Sequence, residues 1–157
     1  MTILVVEDDS AMRGVLEEML RDHGYDVVLA ANGEEGLAAL VAVTPDLVLC
    51  DVAMPVKDGY AFLRDLRQRP ETRGIPVILC SLLREREHVR RGMDQGADDY
   101  LTKPFTEAEL LRSIEARLEK KALLDELDAF AHTVAHDLKI PLTPILANAG
   151  VLCQRGE

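Results

Sequence analysis

The chain has 157 residues, of which 48% are hydrophobic and 29% charged, a composition typical of globular domains. Its net charge of −10 repels phosphate backbones, so we expect no binding to nucleic acid. No apolar run approaches the roughly 18 residues of a membrane span, and the start of the chain does not resemble a signal peptide. The three cysteines show no CxxC or metal-ligand spacing. These features predict a cytoplasmic protein with no membrane contact and with reduced, structural thiols.

Short apolar runs alternate with longer amphipathic ones over the first hundred residues. The apolar runs have the length of strands, and most are rich in Val, Ile or Leu without polar alternation, which favours parallel strands covered on both faces. They comprise residues 3–6, 27–31, 47–50, 77–80 and 100–101. Helical spacing between and after them predicts five helices, the most polar of which covers residues 85–95. Five βα units predict an α/β fold with a doubly wound, five-stranded parallel sheet, whose ligands bind at the carboxyl ends of the strands.

The last third of the chain has no further strand signal. Residues 107–138 contain neither Gly nor Pro, so the fifth helix is expected to continue for many turns. Spacings of three and four predict a short coiled-coil seam. Its members are Leu124, Leu127, Ala131, Val134 and Leu138. A phase slip near residues 119–121 puts this seam out of phase with the earlier apolar positions of the fifth helix, Leu111, Ile114 and Leu118. We therefore divide the chain into residues 1–120 and 121–157, and we expect a homodimer; packing of the seam on the domain's own surface is the alternative.

Polar residues with catalytic potential follow four of the predicted strands. They are Glu7, Asp8 and Asp9 after the first strand, Asp51 after the third, Ser81 after the fourth and Lys103 after the fifth. A doubly wound sheet brings these strand ends together. Clustered carboxylates repel one another, and Mg²⁺ bound by oxygen ligands offsets that repulsion. The alternative is that Asp8 and Asp9 only cap the first helix.

The same strand ends carry motifs of a known family. VVEDD, LVLCDVAMPVKDG, ILCSL and YLTKPF occur in the order and at the separations found in response-regulator receivers, which the chain resembles as far as about residue 117. The resemblance implies a flavodoxin-like receiver. It also implies that Asp51 is the phosphoacceptor and that Mg²⁺ is held by Asp8 or Asp9, by Asp51 and by the backbone carbonyl of Ala53.

The resemblance implies a mechanism as well. Asp51 attacks the phosphoryl group of a histidine kinase, a histidine phosphotransfer protein or a small phosphodonor, and Lys103 adds a positive charge to that group. Ser81 then hydrogen-bonds to the phosphate, and the switch residue Tyr100 turns inward and changes the surface of helix four, strand five and helix five. A cis Lys103–Pro104 bond is also implied. Without the resemblance, Ser81 is only a loop hydroxyl and Tyr100 a half-buried aromatic residue.

A second motif lies near the end of the chain. Residues 136–142 read HDLKIPL and resemble the H-box of the histidine-kinase dimerisation domain. The resemblance implies that His136 accepts a phosphoryl group and that Asp137 orients or deprotonates it. If Val134 and Leu138 lie on the seam, His136 faces outward. Kinases that also dephosphorylate their partners often have Thr or Asn where this chain has Ile140, so we expect weak phosphatase activity in a parent kinase.

Two other interpretations of the histidines remain open. His132 and His136, four residues apart, could bind a transition metal, although no third ligand is evident, or both could be solvated surface residues. We interpret the chain as the first part of a hybrid histidine kinase that Asp51 phosphorylation regulates; without an ATP-binding motif, it is not expected to phosphorylate itself from ATP. The alternative is a non-catalytic, single-domain regulator or adaptor with a dimerising C-terminal helix. A DNA-binding regulator is disfavoured because no basic recognition helix is present.

Overall fold

The computed structural model describes residues 1–82 and 86–138, with all of their side chains except that of Arg86. In this part of the chain, strands and helices alternate. The strands are β1 (Thr2–Val6), β2 (Asp26–Ala30), β3 (Leu47–Asp51), β4 (Val77–Ser81) and β5 (Asp99–Thr102). The helices are α1 (Ser10–Asp22), α2 (Gly33–Ala42), α3 (Gly59–Gln68), α4 (Arg86–Asp94) and α5 (Glu107–Asp137). The predicted strands and helices are confirmed, including the polar fourth helix.

The strands form one parallel sheet in the order β2-β1-β3-β4-β5. The chain winds outward from β1 to β2 and then crosses to β3, so the winding direction reverses between β1 and β3. Val6 is paired with Cys50 at this reversal, and Ser81 is paired with Thr102 at the other end of the same edge. The doubly wound, flavodoxin-like fold is therefore confirmed, and the first residues after β1, β3, β4 and β5 share one edge of the sheet.

The sheet is covered by helices on both faces. Leu4 and Val6 pack in one buried cluster with Phe62 of α3, whereas Ile3 and Val5 pack in the other cluster. The second cluster also contains apolar residues of α1 and α5, namely Leu16, Leu20, Leu110, Ile114 and Leu118. Because successive side chains of a strand point to opposite faces, burial on both sides requires the uninterrupted apolar runs seen in the sequence.

Two of the three cysteines are buried in these clusters. Cys50 lies on one face of the sheet and Cys80 on the other, and both are free thiols. Burial raises the pKa of both thiols, which keeps them protonated and unreactive. This agrees with the predicted structural role; Cys153 lies outside the described residues.

The chain divides into two compact units, Met1–Leu118 and Glu119–Glu157. Helix α5 begins in the first unit and ends in the second. In the described part of the second unit, the helix exposes large apolar side chains with relative accessibilities of 36–68%. These side chains are Leu123, Leu124, Leu127, Phe130, Val134 and Leu138. No helix among the described residues combines the length and the apolar character needed to cross a bilayer.

Candidate active site at the carboxyl edge of the sheet

Three carboxylates meet where β1 and β3 end. Oxygen atoms of Glu7, Asp8 and Asp51 lie within 4.8 Å of one another. Glu7 is only 3% exposed and Asp51 8%, whereas Asp8 is open to solvent. A group of carboxylate oxygens with one side facing water is a suitable donor set for a hard divalent cation such as Mg²⁺.

The ammonium group of Lys103 completes this cluster. Its Nζ lies 3.1 Å from Glu7 Oε1 and 3.3 Å from Asp51 Oδ1. The Lys103 backbone N–H donates to the carbonyl oxygen of Ser81 at 2.7 Å, and the peptide bond to Pro104 is cis. The hydrogen bond to Ser81 anchors the lysine beside β4, and the two ion pairs place its charge against the buried carboxylates.

The charges of the cluster are not balanced. Burial and the neighbouring Asp51 raise the pKa of Glu7 to about 7, although Lys103 opposes the shift. Burial also raises the pKa of Asp51, again against the influence of Lys103. Burial alone would lower the pKa of Lys103, but the carboxylates of Asp51 and Glu7 outweigh it and raise that pKa. The site therefore has excess negative charge that a bound cation would relieve.

The loop after β3 holds Asp51 in place. Asp51 Oδ1 accepts a hydrogen bond from the Val52 N–H at 3.0 Å, and the Gly59 N–H donates to the carbonyl oxygen of Val52 at 2.8 Å. A Cβ atom at Gly59 would lie 2.3 Å from the carbonyl oxygen of Asp51, so only glycine allows this close approach. Asp58 caps α3 by accepting from the Ala61 N–H at 2.8 Å. The DG pair of the sequence motif thus fixes the strand end that bears Asp51.

The structure does not bring Asp9, predicted as a possible metal ligand, into the carboxylate group. Its carboxylate caps α1 and accepts from the N–H groups of Ala11 at 2.9 Å and Met12 at 3.4 Å. Glu7 occupies the cluster instead, and its N–H donates to the Ala30 carbonyl oxygen at 3.0 Å, just beyond the last residue of β1. The capping alternative raised from the sequence thus describes Asp9 but not Asp8. The useful signal was the position of Glu7, the first carboxylate after the apolar run.

The other predicted receiver residues lie around this cluster. Ser81 is buried at the end of β4, and Tyr100 is buried in β5. Ala53 lies two residues beyond Asp51 in an exposed position of the loop, so its carbonyl group stays a predicted ligand. Sequence reasoning did not single out Tyr60, which is also buried and lies in the same apolar cluster as Tyr100.

His136 and Asp137 lie in the second unit, at the end of α5. The His136 side chain is 82% exposed, and its Nδ1 is 3.7 Å from Asp137 Oδ1. Among the described residues, the group of three potential metal ligands at β1 and β3 includes neither His132 nor His136. Residues 139–142 of the H-box motif, Ile140 among them, lie outside the described part of the chain.

The first 115 residues have clear relatives. Residues 3–115 match the response regulator receiver domain family. The DNA-binding dual master transcriptional regulator RpaA of Synechocystis is 38% identical over 118 residues, which cover 75% of this chain and 49% of the relative. The DNA-binding response regulator MtrA of Mycobacterium tuberculosis is 34% identical over 153 residues, covering 91% of this chain and 66% of the relative. The chain spans about half to two thirds of the length of these curated relatives.

Solved structures give the same result. A putative response regulator from Chloroflexus aurantiacus has a TM-score of 0.72 and 37% identity, covering 75% of this chain and 97% of that one. The receiver domain of the sensor histidine kinase PA1611 from Pseudomonas aeruginosa, with magnesium coordinated in its active-site cleft, has a TM-score of 0.70 and 34% identity, with coverage of 75% and 97%.

Two predictions made from the sequence are not supported by these relatives. They do not support the predicted exclusion of nucleic acid, because RpaA and MtrA are DNA-binding regulators. They give no evidence for a histidine-kinase segment attached at residues 121–157, because the likeness to PA1611 is to its receiver domain. The family match and the strand-end cluster lead to one conclusion: the chain belongs to the response regulator receiver domain family of two-component signalling.

Proposed function

We propose that Asp51 accepts a phosphoryl group from a phosphohistidine-bearing partner or a small phosphodonor, and that this modification switches the surface of the receiver. The observation that carries the proposal is the position of the Asp51 carboxylate, which lies 3.3 Å from the Lys103 ammonium group and within 4.8 Å of carboxylate oxygens of Glu7 and Asp8. Phosphoryl transfer depends mainly on positioning and on neutralisation of charge, and this arrangement is suited to both.

The reaction is expected to require Mg²⁺. Glu7, Asp8 and Asp51 would hold the ion, with the Ala53 carbonyl as a further ligand. The excess negative charge of the cluster supports this assignment, as does the magnesium named for the receiver of PA1611. When bound, the ion neutralises charge on the phosphoryl oxygens.

The chain's own residues have distinct roles in this proposal. An Asp51 oxygen forms the new bond to phosphorus while the bond from phosphorus to the donor's imidazole nitrogen breaks, and the released imidazole takes up a proton from water. Lys103, already 3.3 Å from Asp51 Oδ1, stays beside the transferred group. Ser81 then donates a hydrogen bond to the phosphate, and Tyr100 acts as the switch residue.

We further propose that the second unit pairs with a second copy of the chain. The six exposed apolar residues defined above occupy three of the seven heptad positions, which is the width of a face that packs in a helical bundle. So continuous an apolar face is unusual on a protein that remains monomeric. A receiver with a dimerising helix corresponds to the regulator or adaptor alternative drawn from the sequence.

A second candidate function is phosphoryl acceptance by His136. The HDLKIPL motif and the 82% exposure of the His136 side chain favour it, because a phosphodonor could reach the imidazole. In this case the receiver would regulate, or exchange phosphate with, a histidine kinase. An isolated kinase ATP-binding domain supplied with ATP should then phosphorylate the chain and its His132→Gln variant, but not His136→Gln.

The main proposal is tested by intact-mass measurement of the full chain incubated with acetyl phosphate. We expect one phosphoryl adduct, absent without Mg²⁺ and absent in Asp51→Asn. Glu7→Gln should require much more Mg²⁺ for half-maximal phosphorylation. Asp9→Asn is the matched control, because asparagine keeps an oxygen that can cap α1, and it should behave like the wild type. A higher Mg²⁺ requirement in Asp9→Asn but not in Glu7→Gln would reject the proposed ligand set.

A further inference from the structure

An arginine of α1 holds the turn that carries two of the three clustered acids. Arg13 is the fourth residue of α1, and its Nη1 donates to the carbonyl oxygen of Glu7 at 2.8 Å and to that of Asp8 at 3.2 Å. Side chains of a helix lean toward its amino terminus, so a residue at this position can reach back over the turn. One half-buried side chain thus contacts the backbone of both acids.

The same turn is fixed at each of its ends. At the strand end, the Glu7 N–H donates to the Ala30 carbonyl oxygen at 3.0 Å. At the helix end, the Asp9 carboxylate accepts from the Ala11 N–H at 2.9 Å, and the Asp9 carbonyl oxygen accepts from the Arg13 N–H at 2.9 Å. The Arg13 side chain therefore connects the strand end of the turn to the helix that follows it.

The position of Arg13 is not explained by the stability of α1. The amino terminus of a helix is the positive end of its dipole, where a cation is unfavourable. Arg21 of the same helix shows the favourable case, because it lies in the last turn, pairs with Glu17 at 3.1 Å and donates to the Val27 carbonyl oxygen at 3.1 Å. Arg13 is placed against the dipole, which points to a role in the adjoining turn.

Arg13 has two opposite effects on a cation bound by the acids. Its positive charge repels such a cation, so the charge alone would weaken binding. Its hydrogen bonds fix the backbone of Glu7 and Asp8, which favours binding because the carboxylates are held in place before the cation arrives. Removal of the side chain therefore changes the affinity in a direction that identifies the dominant effect.

We propose that Arg13 is a positioning residue for the divalent-cation site. By holding the turn after β1, it keeps carboxylate oxygens of Glu7 and Asp8 within 4.8 Å of one another and of Asp51. Loss of groups that orient metal ligands from outside the coordination shell typically weakens metal binding by roughly 10–100-fold. This inference rests on the Mg²⁺ site of the function proposed above, and it assigns the order of that site to a residue that is not itself a ligand.

The test measures cation binding to the full chain without any phosphodonor. Mn²⁺ accepts the same oxygen ligands as Mg²⁺, and its paramagnetic resonance signal reports the free ion, so displacement by Mg²⁺ gives the affinity for Mg²⁺. Arg13→Met should bind both ions about tenfold more weakly than the wild type. Arg13→Lys should be intermediate, because an ammonium group can donate to a carbonyl oxygen but lacks the planar fork of a guanidinium group.

Arg21→Met is the matched control. It removes a guanidinium group that also joins α1 to a strand carbonyl, but at the other end of the helix, and it should bind Mn²⁺ like the wild type. Equal weakening in Arg21→Met and Arg13→Met would assign the effect to α1 as a whole and overturn the role of Arg13. Thermal melting without metal shows whether each variant is folded; if Arg13→Met is not, unchanged affinity in Arg13→Lys overturns the proposal.

The remaining outcomes separate this inference from the proposed function. Unchanged or tighter Mn²⁺ binding in folded Arg13→Met would overturn the positioning role while leaving phosphorylation of Asp51 intact. If Mn²⁺ affinity depends on Arg13 while acetyl phosphate leaves no adduct on the chain, the positioning role stands and the phosphorylation proposal fails. A wild-type chain that binds neither Mn²⁺ nor Mg²⁺ would overturn the role of Arg13 together with the metal site.

Discussion

The two compact units of the chain differ in how far their large apolar side chains are exposed to solvent. In Met1–Leu118 most of the large apolar side chains of the strands are buried between helices, whereas the described helix beyond Leu118 exposes most of its own. The first unit contains the strands β1–β5 and the carboxylate cluster. The second has an apolar helical face without a matching surface among its described residues. The proposed pairing with a second copy of the chain would cover this exposed face.

The largest expected effect concerns the core of the first unit. Phe62 is fully buried beneath the sheet, so Phe62→Ala should reduce the free energy of unfolding by about 3–5 kcal/mol. Urea denaturation of the wild type and the variant measures the difference. A loss below about 1 kcal/mol would show that this core tolerates cavities, and the contrast between the units would weaken.

The next effect concerns the unbalanced charge of the site. The pKa of Glu7 is raised from 4.5 to about 7, so the folded protein favours the protonated form of this side chain. The resulting stabilisation is fully present below pH 4.5 and is lost as the pH rises through 7. Glu7→Gln should therefore melt at a higher temperature than the wild type at pH 8 without Mg²⁺, and the gain should shrink at pH 5. Melting curves at both pH values check this. Equal gains at the two pH values would mean that the charge of Glu7 is not the cause.

A smaller effect distinguishes the capping acid from the site acids. Asp9→Ala removes the cap of α1 and should cost about 1 kcal/mol of unfolding free energy, whereas Asp9→Asn should cost a few tenths. Chemical denaturation of both variants gives the comparison. Equal costs would indicate that the charge of Asp9, rather than its hydrogen bonds to the helix, stabilises α1.

The smallest effect on unfolding should come from the second unit, where the change appears in association instead. Leu127 is 62% exposed, so Leu127→Gln should change the unfolding free energy of the first unit by less than about 0.5 kcal/mol. The same change should weaken self-association, measured by light scattering over a range of concentrations. Lys121→Gln on the same helix is the control. A wild-type chain that stays monomeric at high concentration would contradict the proposed pairing.

The fold could be predicted because a parallel strand that is buried on both faces requires an uninterrupted run of apolar residues. The runs ILVV, LVLC and VILC admit no polar residue, and each is a buried strand. The site was predicted in outline because residues that follow such strands must share an edge. The choice between Glu7 and Asp9 could not be made in the same way, since it depends on which of the carboxylates after β1 caps α1.

Other features depend on contacts between distant parts of the chain. Tyr60 and Tyr100 are far apart in sequence, and nothing local to either residue indicates that they are buried in the same apolar cluster. The sequence pattern also could not predict what packs on the exposed apolar face of α5. Heptad spacing is equally compatible with packing inside one chain and with pairing between two chains. Sequence periodicity shows which face is apolar but does not identify what covers it.

The central claim, that Asp51 is the phosphoacceptor, is tested most directly by locating the modification. Borohydride reduces an aspartyl phosphate to homoserine, so peptide mass mapping after treatment with acetyl phosphate and Mg²⁺ identifies the modified position. We predict homoserine at position 51 alone. Homoserine at position 8 or 9, or no homoserine in a chain that nevertheless carries phosphate, would contradict the account.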